Sequence, residues 1–321
     1  MKKLTEANDL YFDSKDDNIT PQQAKQKLKG PGGSKSFFSV ASERVKSKYD
    51  RGTFSVAKSE LSILYNIEEF LTLKSALPKK KVIEDIQQRR KDRVSKSRKG
   101  EYSFMDGINH FKKNKTLKFR DIDQSLIEKY KTFCSVYLNQ KTRTITNQLI
   151  FIRTLFNIGI KKGIVASKFY PFAGEKEKIR IGSGNKIGLT IKEIEKIESL
   201  EFEPQSSIWH THNVWLIAFY FAGIRISDVI KLKWSDFNDG RLMYRMNKNS
   251  KLVTLKTPEK AEAIFKQYRK KDSLQDLIFD YLKDTDLSDT HRVSIRTQSV
   301  NRNLNRLLKR VASKLKIKKK M

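Results

Sequence analysis

Residues Val214–Ile224 form an almost unbroken apolar run, and the chain places Gly223 and then Arg225 at its end. Such a run is too short to span a bilayer, which takes about 20 residues, and has the length of a helix buried in a folded core. Glycine enters the left-handed cap conformation at little cost, so Gly223 is expected to end the helix. Arg225 sits at that break, with Asp228 and a second amphipathic run, Val229–Trp234, after it. A cation where a buried helix stops is costly unless it is paired or meets an anion. In one reading Arg225 pairs with Asp228 and caps the helix C-terminus. In the other its guanidinium fork holds a phosphate bidentately while Asp228 fixes its angle. These residues alone leave both open.

The charge balance bears on the choice. Lys and Arg total 67 against 36 Asp and Glu, a net +31 over 321 residues. A surplus that large is either solvated or matched by a polyanion, which points to nucleic acid without saying which kind. The length suffices for two domains, each with its own core. The single cysteine, Cys134, lies in an apolar helical run and has no internal disulfide partner, so a small buried side chain is expected. Four scattered histidines and one cysteine make no ligand cluster, so no metal site is expected. His210 and His212, just before the apolar run, read as loop or cap groups. No run reaches membrane-spanning length and Met1-Lys2-Lys3-Leu4 leads into polar residues, so no membrane partner is expected and the cytoplasm is the expected location.

Along the chain, residues 1–33 are polar. Thr20-Pro21-Gln22-Gln23 is a helix start, and Gly30-Pro31-Gly32-Gly33 breaks what it opens. Residues 34–180 read as helical. Helices are expected over Ser36–Lys48, with Phe37, Phe38, Val40, Ala41 and Val45 inward, and over Thr53–Leu73, whose stripe is Val56, Leu61, Leu64, Ile67, Phe70 and Leu71. The charged section from Pro78 to Lys99 is as compatible with a solvated connector as with a helix. Phe104–Lys113, Gln124–Leu138 capped by Asp123, and Arg143–Lys162 follow, making a bundle of four or so helices.

Gly182-Ser183-Gly184-Asn185 marks a domain boundary, and 181–321 form the second domain. Thr190 and Glu193 make a capping box opening Ile191–Leu200. After Asp236 the period changes: Leu242, Tyr244 and Met246 alternate with Met243 and Arg245, Asn247-Lys248-Asn249-Ser250 turns, and Leu252–Leu255 returns. Thr257-Pro258-Glu259 starts another helix and Ser299–Leu315 is the last. The fold class is therefore mainly α with a small β component.

The sequence Gly223-Ile224-Arg225-Ile226-Ser227-Asp228, followed by apolar-x-Leu232-Lys233-Trp234-x-Asp236, closely resembles the first catalytic box of the tyrosine recombinases, the phage-integrase family. It is most similar to the subgroup carried by mobile elements of Bacteroides-type bacteria. The resemblance implies that Arg225 contacts the scissile phosphate and that Asp228 supports it. Lys248, on the hairpin some twenty residues on, matches the family's hairpin lysine, which enters the minor groove and protonates the leaving 5′ oxygen; Lys251 is the alternative match. The order of the helices in 34–180 resembles the family's SAM-like core-binding domain, including the Lys118-Phe119-Arg120-Asp121-Ile122 entry and the Tyr170-Pro171-Phe172 exit. The implied architecture is a remnant of an arm-binding domain and linker (1–33), a helical core-binding domain (34–180) and an α+β catalytic domain (181–321), truncated at its end. Implied partners are double-stranded DNA, three further copies in a homo-tetramer when full-length, and an accessory DNA-bending protein, in the nucleoid of a bacterial cytoplasm.

The family completes its site with a His-x-x-Arg box, a further His or Trp and a tyrosine nucleophile, all after the helix corresponding to Ser299–Leu315. Here Lys318-Lys319-Lys320-Met321 stands where that box begins. His291–Arg296 has the wrong spacing and Tyr281 comes too early, both upstream of that helix. The expectation is a recombinase chain that binds DNA without cutting it. The alternatives are a non-catalytic DNA-binding protein that occupies recombination sites and an RNA-binding basic protein. The last is disfavoured, since RRM and KH signatures are absent and the aromatics fall on core stripes.

Overall fold

The computed structural model describes residues 35–73, 77–172, 179, 188–247, 250–269, 276–317 and 319. The start at Thr20, the break at Gly30–Gly33, the boundary at Gly182–Asn185 and Lys248 lie outside these residues. The chain divides into two compact units, 1–183 and 184–321.

The described part of the first unit is all helix: α1 Phe37–Asp50, α2 Phe54–Leu71, α3 Lys79–Arg98, α4 Phe104–Lys113, α5 Gln124–Val136 and α6 Thr142–Lys161. Six helices thus replace the expected four or so. Ser36 caps α1 by accepting from the Ser39 amide, and Asp123 caps α5 by accepting from Leu126. α1 is central and packs on α2, α4 and α6. Its Phe37 and Phe38 are fully buried, Phe38 stacked on Phe111 and Phe37 edge-on to Phe119. Cys134 is buried, as a small apolar side chain should be. Val56 and Leu71, expected on the α2 stripe, are instead exposed; Phe54, Ala57 and Ile63 take their place inward.

The charged section 78–99 is a 20-residue helix, not a connector, although only Val82 and Ile86 on it are buried. Polar bonds supply what apolar contact lacks. Glu69 of α2, 5% exposed, accepts from Arg90 at 2.5 Å and from Arg93 at 3.3 Å. Arg90 also donates to Asn66 (2.9 Å), Asn66 to Gln148 of α6 (3.0 Å), and the buried Tyr130 hydroxyl to the same Gln148 oxygen (2.6 Å). Val82, Ile86, Arg90 and Arg93 recur at helical spacing, so the two arginines continue the apolar face and are paired rather than solvated.

The second unit holds α7 Ile191–Glu198, α8 Ser207–Tyr220, the single turn α9 Ile226–Val229, strands β1 Phe237–Asn238, β2 Arg241–Arg245 and β3 Leu252–Lys256, α10 Glu259–Lys266 and α11 Thr290–Lys314. Thr190 and Glu193 cap α7 reciprocally. The strands pair antiparallel in the order β1-β2-β3, with Leu242 opposite Leu255 and Tyr244 opposite Val253. Leu242 and Tyr244 point inward between exposed Arg241, Met243 and Arg245, the period-two pattern of a half-buried strand. α8 packs against α9, α10 and α11 around Val214, Ile217, Phe221, Phe265 and Leu304.

Two helices differ from expectation in extent. α8 begins at Ser207, so His210 and His212 are helical and not loop groups. His212 is buried and donates from Nε2 to the Ile197 carbonyl at 2.7 Å; burial, partly opposed by that carbonyl, lowers its pKa. α11 begins at Thr290, so His291–Arg296 lie within its first turns and not upstream of it. Their polar sequence hides a sparse inner face, Val293 and Thr297, that continues the stripe.

Candidate functional site

The end of α8 shapes the site. The Gly223 amide bonds to the Ala218 carbonyl at 2.8 Å and the Ala222 amide to Phe219 at 3.0 Å, a Schellman cap. The first left-handed residue is therefore Ala222 (φ 56°), with Gly223 (φ 78°) second. The expected stop at Gly223 falls one residue late, because the apolar run hides the alanine that makes the turn.

Arg225 emerges from this reversal in extended conformation and precedes α9. Its side chain is 48% exposed, while Asp228 beside it is 2% exposed. Nη1 of Arg225 lies 3.9 Å from Oδ2 of Asp228, an ion pair without a hydrogen bond. Both Asp228 oxygens are buried and take no hydrogen bond. Burial raises the Asp228 pKa, and the nearby Asn247 amide with the charges of Arg225 and Lys231 only partly offset it. The pairing of Arg225 with Asp228 is thus real but loose, and the guanidinium is left open to solvent.

The same Nη1 reaches Sδ of Met246 at 3.7 Å, immediately after β2. The β2–β3 turn is closed by Met246 N to Lys251 O (2.9 Å) and Ser250 N to Met246 O (2.8 Å), with Ser250 left-handed at φ 55°. Arg225 and the described start of this turn therefore meet. Lys248 lies outside the described residues; Lys251 is exposed across the turn.

Two further groups belong to the cluster and were not singled out in the sequence. Tyr244, inward on β2, has its pKa raised by burial and by Asp228, with Arg225 opposing. Lys231, three residues after Asp228, is half-buried; burial lowers its pKa and Asp228 opposes that. Spacing held a signal for both, since Lys231 follows Asp228 at i+3 and Tyr244 shares the inward face with Leu242 and Met246. Tyr281 is different: its phenol is pushed up to about 12 by burial, against a hydrogen bond with Thr211. Arg296 donates to the Tyr281 carbonyl at 3.0 Å, which ties the His291–Arg296 stretch to α11 packing. Among the described residues, no group of three or more His, Cys, Asp or Glu is placed to hold a metal ion, and no helix is long and apolar enough to cross a membrane.

No curated protein and no solved structure matches the chain. Residues 80–179, from α3 through α6 and beyond, match the family model of the phage integrase SAM-like domain, and this match supports the tyrosine recombinase and integrase family.

Proposed function

We propose that the protein is a site-specific DNA recombinase of the tyrosine class, from an integrating element of the Bacteroides type, and that residues 1–321 bind duplex DNA without cutting it. The observation that carries the reading is Arg225: a half-exposed guanidinium at the break after a buried helix, backed by a buried carboxylate and touching the hairpin. In this reading Arg225 grips the scissile phosphate, Asp228 sets its angle, and Lys248, or Lys251 in its place, approaches the leaving 5′ oxygen as general acid. Phosphodiester transfer needs an oxygen nucleophile at phosphorus and several cationic donors around the developing charge. None of the four histidines in residues 1–321 begins a His-x-x-Arg pattern, and loss of one such donor alone lowers the rate by about 10²–10³. Four protomers would assemble on paired sites, joined by an accessory DNA-bending protein, in the bacterial cytoplasm.

A second reading is a non-catalytic protein that occupies recombination sites. It draws on Tyr244, the tyrosine coupled to Arg225 and Asp228, which is 8% exposed and turned inward where it cannot attack a phosphate. Incubating the chain with duplex DNA and resolving covalent protein–DNA adducts tests the main reading. Retention of duplex in preference to structured RNA, with no adduct, supports it, and an adduct overturns the claim of binding without cleavage. Reading the encoding DNA past Met321 separates the two: a frame continuing into His-x-x-Arg and tyrosine favours the recombinase.

A further inference from the structure

The first unit contains a cleft of about 600 Å³ between α2, α3 and the segment joining α3 to α4. That volume lies in the range of small-molecule sites, roughly 300–1,000 Å³. Its surface combines three kinds of group. Leu61 and Phe104 give an apolar floor. Arg93 lies over Tyr65, Cζ 3.5 Å from the ring centroid, so its guanidinium is held at the wall by the ring face. The hydroxyls of Tyr65 and Tyr102 share one hydrogen bond at 2.9 Å, which uses one of their two protons and leaves the other for an acceptor.

The charge is positive. Lys58, Arg90 and Arg93 line the cleft, and the one carboxylate bonded to the two arginines is Glu69. Asp106 is the other carboxylate in contact with a lining residue, bonded to Ser103 at the far end from Arg90. Close packing built this wall: a Cβ at Gly107 of α4 would stand 2.7 Å from the Tyr65 hydroxyl and 3.0 Å from Leu61, so glycine is what lets Tyr65 sit there.

We propose that this cleft binds a nucleoside monophosphate unit, with the base stacked on the Arg93 plane over the Leu61–Phe104 floor and the phosphate met by Lys58 and Arg90. Guanidinium planes and aromatic rings are the platforms on which unpaired bases stack, whereas a bare anion has no use for the floor. The unit has two sources, a free nucleotide or an unstacked nucleotide within a strand.

The inference does not rest on Arg225, and calorimetry on the full chain at about 0.15 M salt tests it. The probe is dAMP, with deoxyribose 5-phosphate as the base-free control. The expected result is dAMP binding at least about tenfold tighter than the control. Val94, 50% exposed at the rim, can be enlarged without disturbing the core. Val94→Trp is expected to fill the mouth and abolish dAMP binding, and Arg93→Lys, which keeps the charge and loses the plane, to weaken it about tenfold. Arg225→Ala should leave it unchanged. A second arm compares a duplex carrying one unpaired adenine with the same duplex carrying an abasic residue there. Preference for the adenine that Val94→Trp removes, without affinity for free dAMP, assigns the site to a strand nucleotide. Affinity for dAMP without that preference assigns it to a free one. Equal binding of dAMP and deoxyribose 5-phosphate, dAMP binding that survives Val94→Trp, or no base-dependent binding in either arm overturns the inference.

Discussion

Nη1 of Arg225 lies 3.7 Å from Sδ of Met246, so the break after α8 and the end of β2 meet at one point. A residue at the start of the hairpin turn touches the arginine, and the turn itself is fixed by the Met246–Lys251 and Ser250–Met246 bonds. The arginine is thereby steadied at Nη1, by the Met246 sulfur and the Asp228 carboxylate, while about half of its side chain stays in solvent. Four measurable consequences follow from this arrangement and from the packing that supports it.

Asp228 is expected to weaken the fold that it serves. Burial raises its folded-state pKa above the ordinary 3.8, so the folded state holds the proton more tightly than the unfolded chain. The sign then follows: stability is greatest below the unfolded pKa and is lost as pH rises through the folded pKa. Asp228→Asn should raise stability at pH 7 by about 1 kcal/mol, the scale of an unsatisfied buried polar group. The gain should vanish near pH 3.8, where the native carboxyl is already protonated. Thermal melting across that pH range checks it, and a gain that is constant with pH contradicts it. The same variant should bind duplex DNA less well, because Arg225 loses its charged support.

Ala222 holds a left-handed conformation that glycine would hold without strain. For a residue with a Cβ this conformation costs about 1–2 kcal/mol, partly offset by the larger unfolded-state entropy of glycine. Ala222→Gly should therefore stabilise the second unit by about 0.5–1 kcal/mol. Urea unfolding followed by tryptophan fluorescence reads this unit selectively, since Trp209, Trp215 and Trp234 all lie in it.

Glu69 anchors α3. Removing a buried carboxylate that pairs with two arginines, each about a third exposed, should destabilise the first unit by about 1–2 kcal/mol. Glu69→Ala should also expose α3 to trypsin, because Val82 and Ile86 alone bury little on it. Limited proteolysis with mass mapping checks this. Protection of Arg89–Arg98 equal to that of the native chain contradicts the role given to Glu69.

Much of this was legible in the amino-acid sequence, and the rest was hidden for physical reasons. Asp123 before α5 and Thr190 with Glu193 before α7 are local signals, since each cap bonds within three residues. The alternation through Leu242 and Tyr244 is local too and marked β2. α3 was obscured because its inner face is half cationic, and pairing through Glu69 is decided by a residue on another helix. The first turns of α11 were obscured because Val293 and Thr297 are sparse among polar neighbours. For the candidate site, the box from Gly223 to Asp228 pointed to Arg225 and Asp228 as neighbours, as their i+3 spacing requires. Its meeting with Met246 depends on how the hairpin packs back, which no spacing along the chain encodes. Tyr244 and Lys231 carried a fainter local signal, the inward face of β2 for one and the i+3 spacing from Asp228 for the other.

The central claim, that Arg225 grips a DNA phosphate, is tested most directly by the salt dependence of duplex binding. Each phosphate contact contributes a slope of about −0.9 to the logarithm of affinity against the logarithm of salt. Arg225→Ala should lower duplex affinity about tenfold near 0.15 M salt and flatten that slope by about one. Affinity and slope equal to those of the native chain would place Arg225 outside the DNA interface and contradict the account.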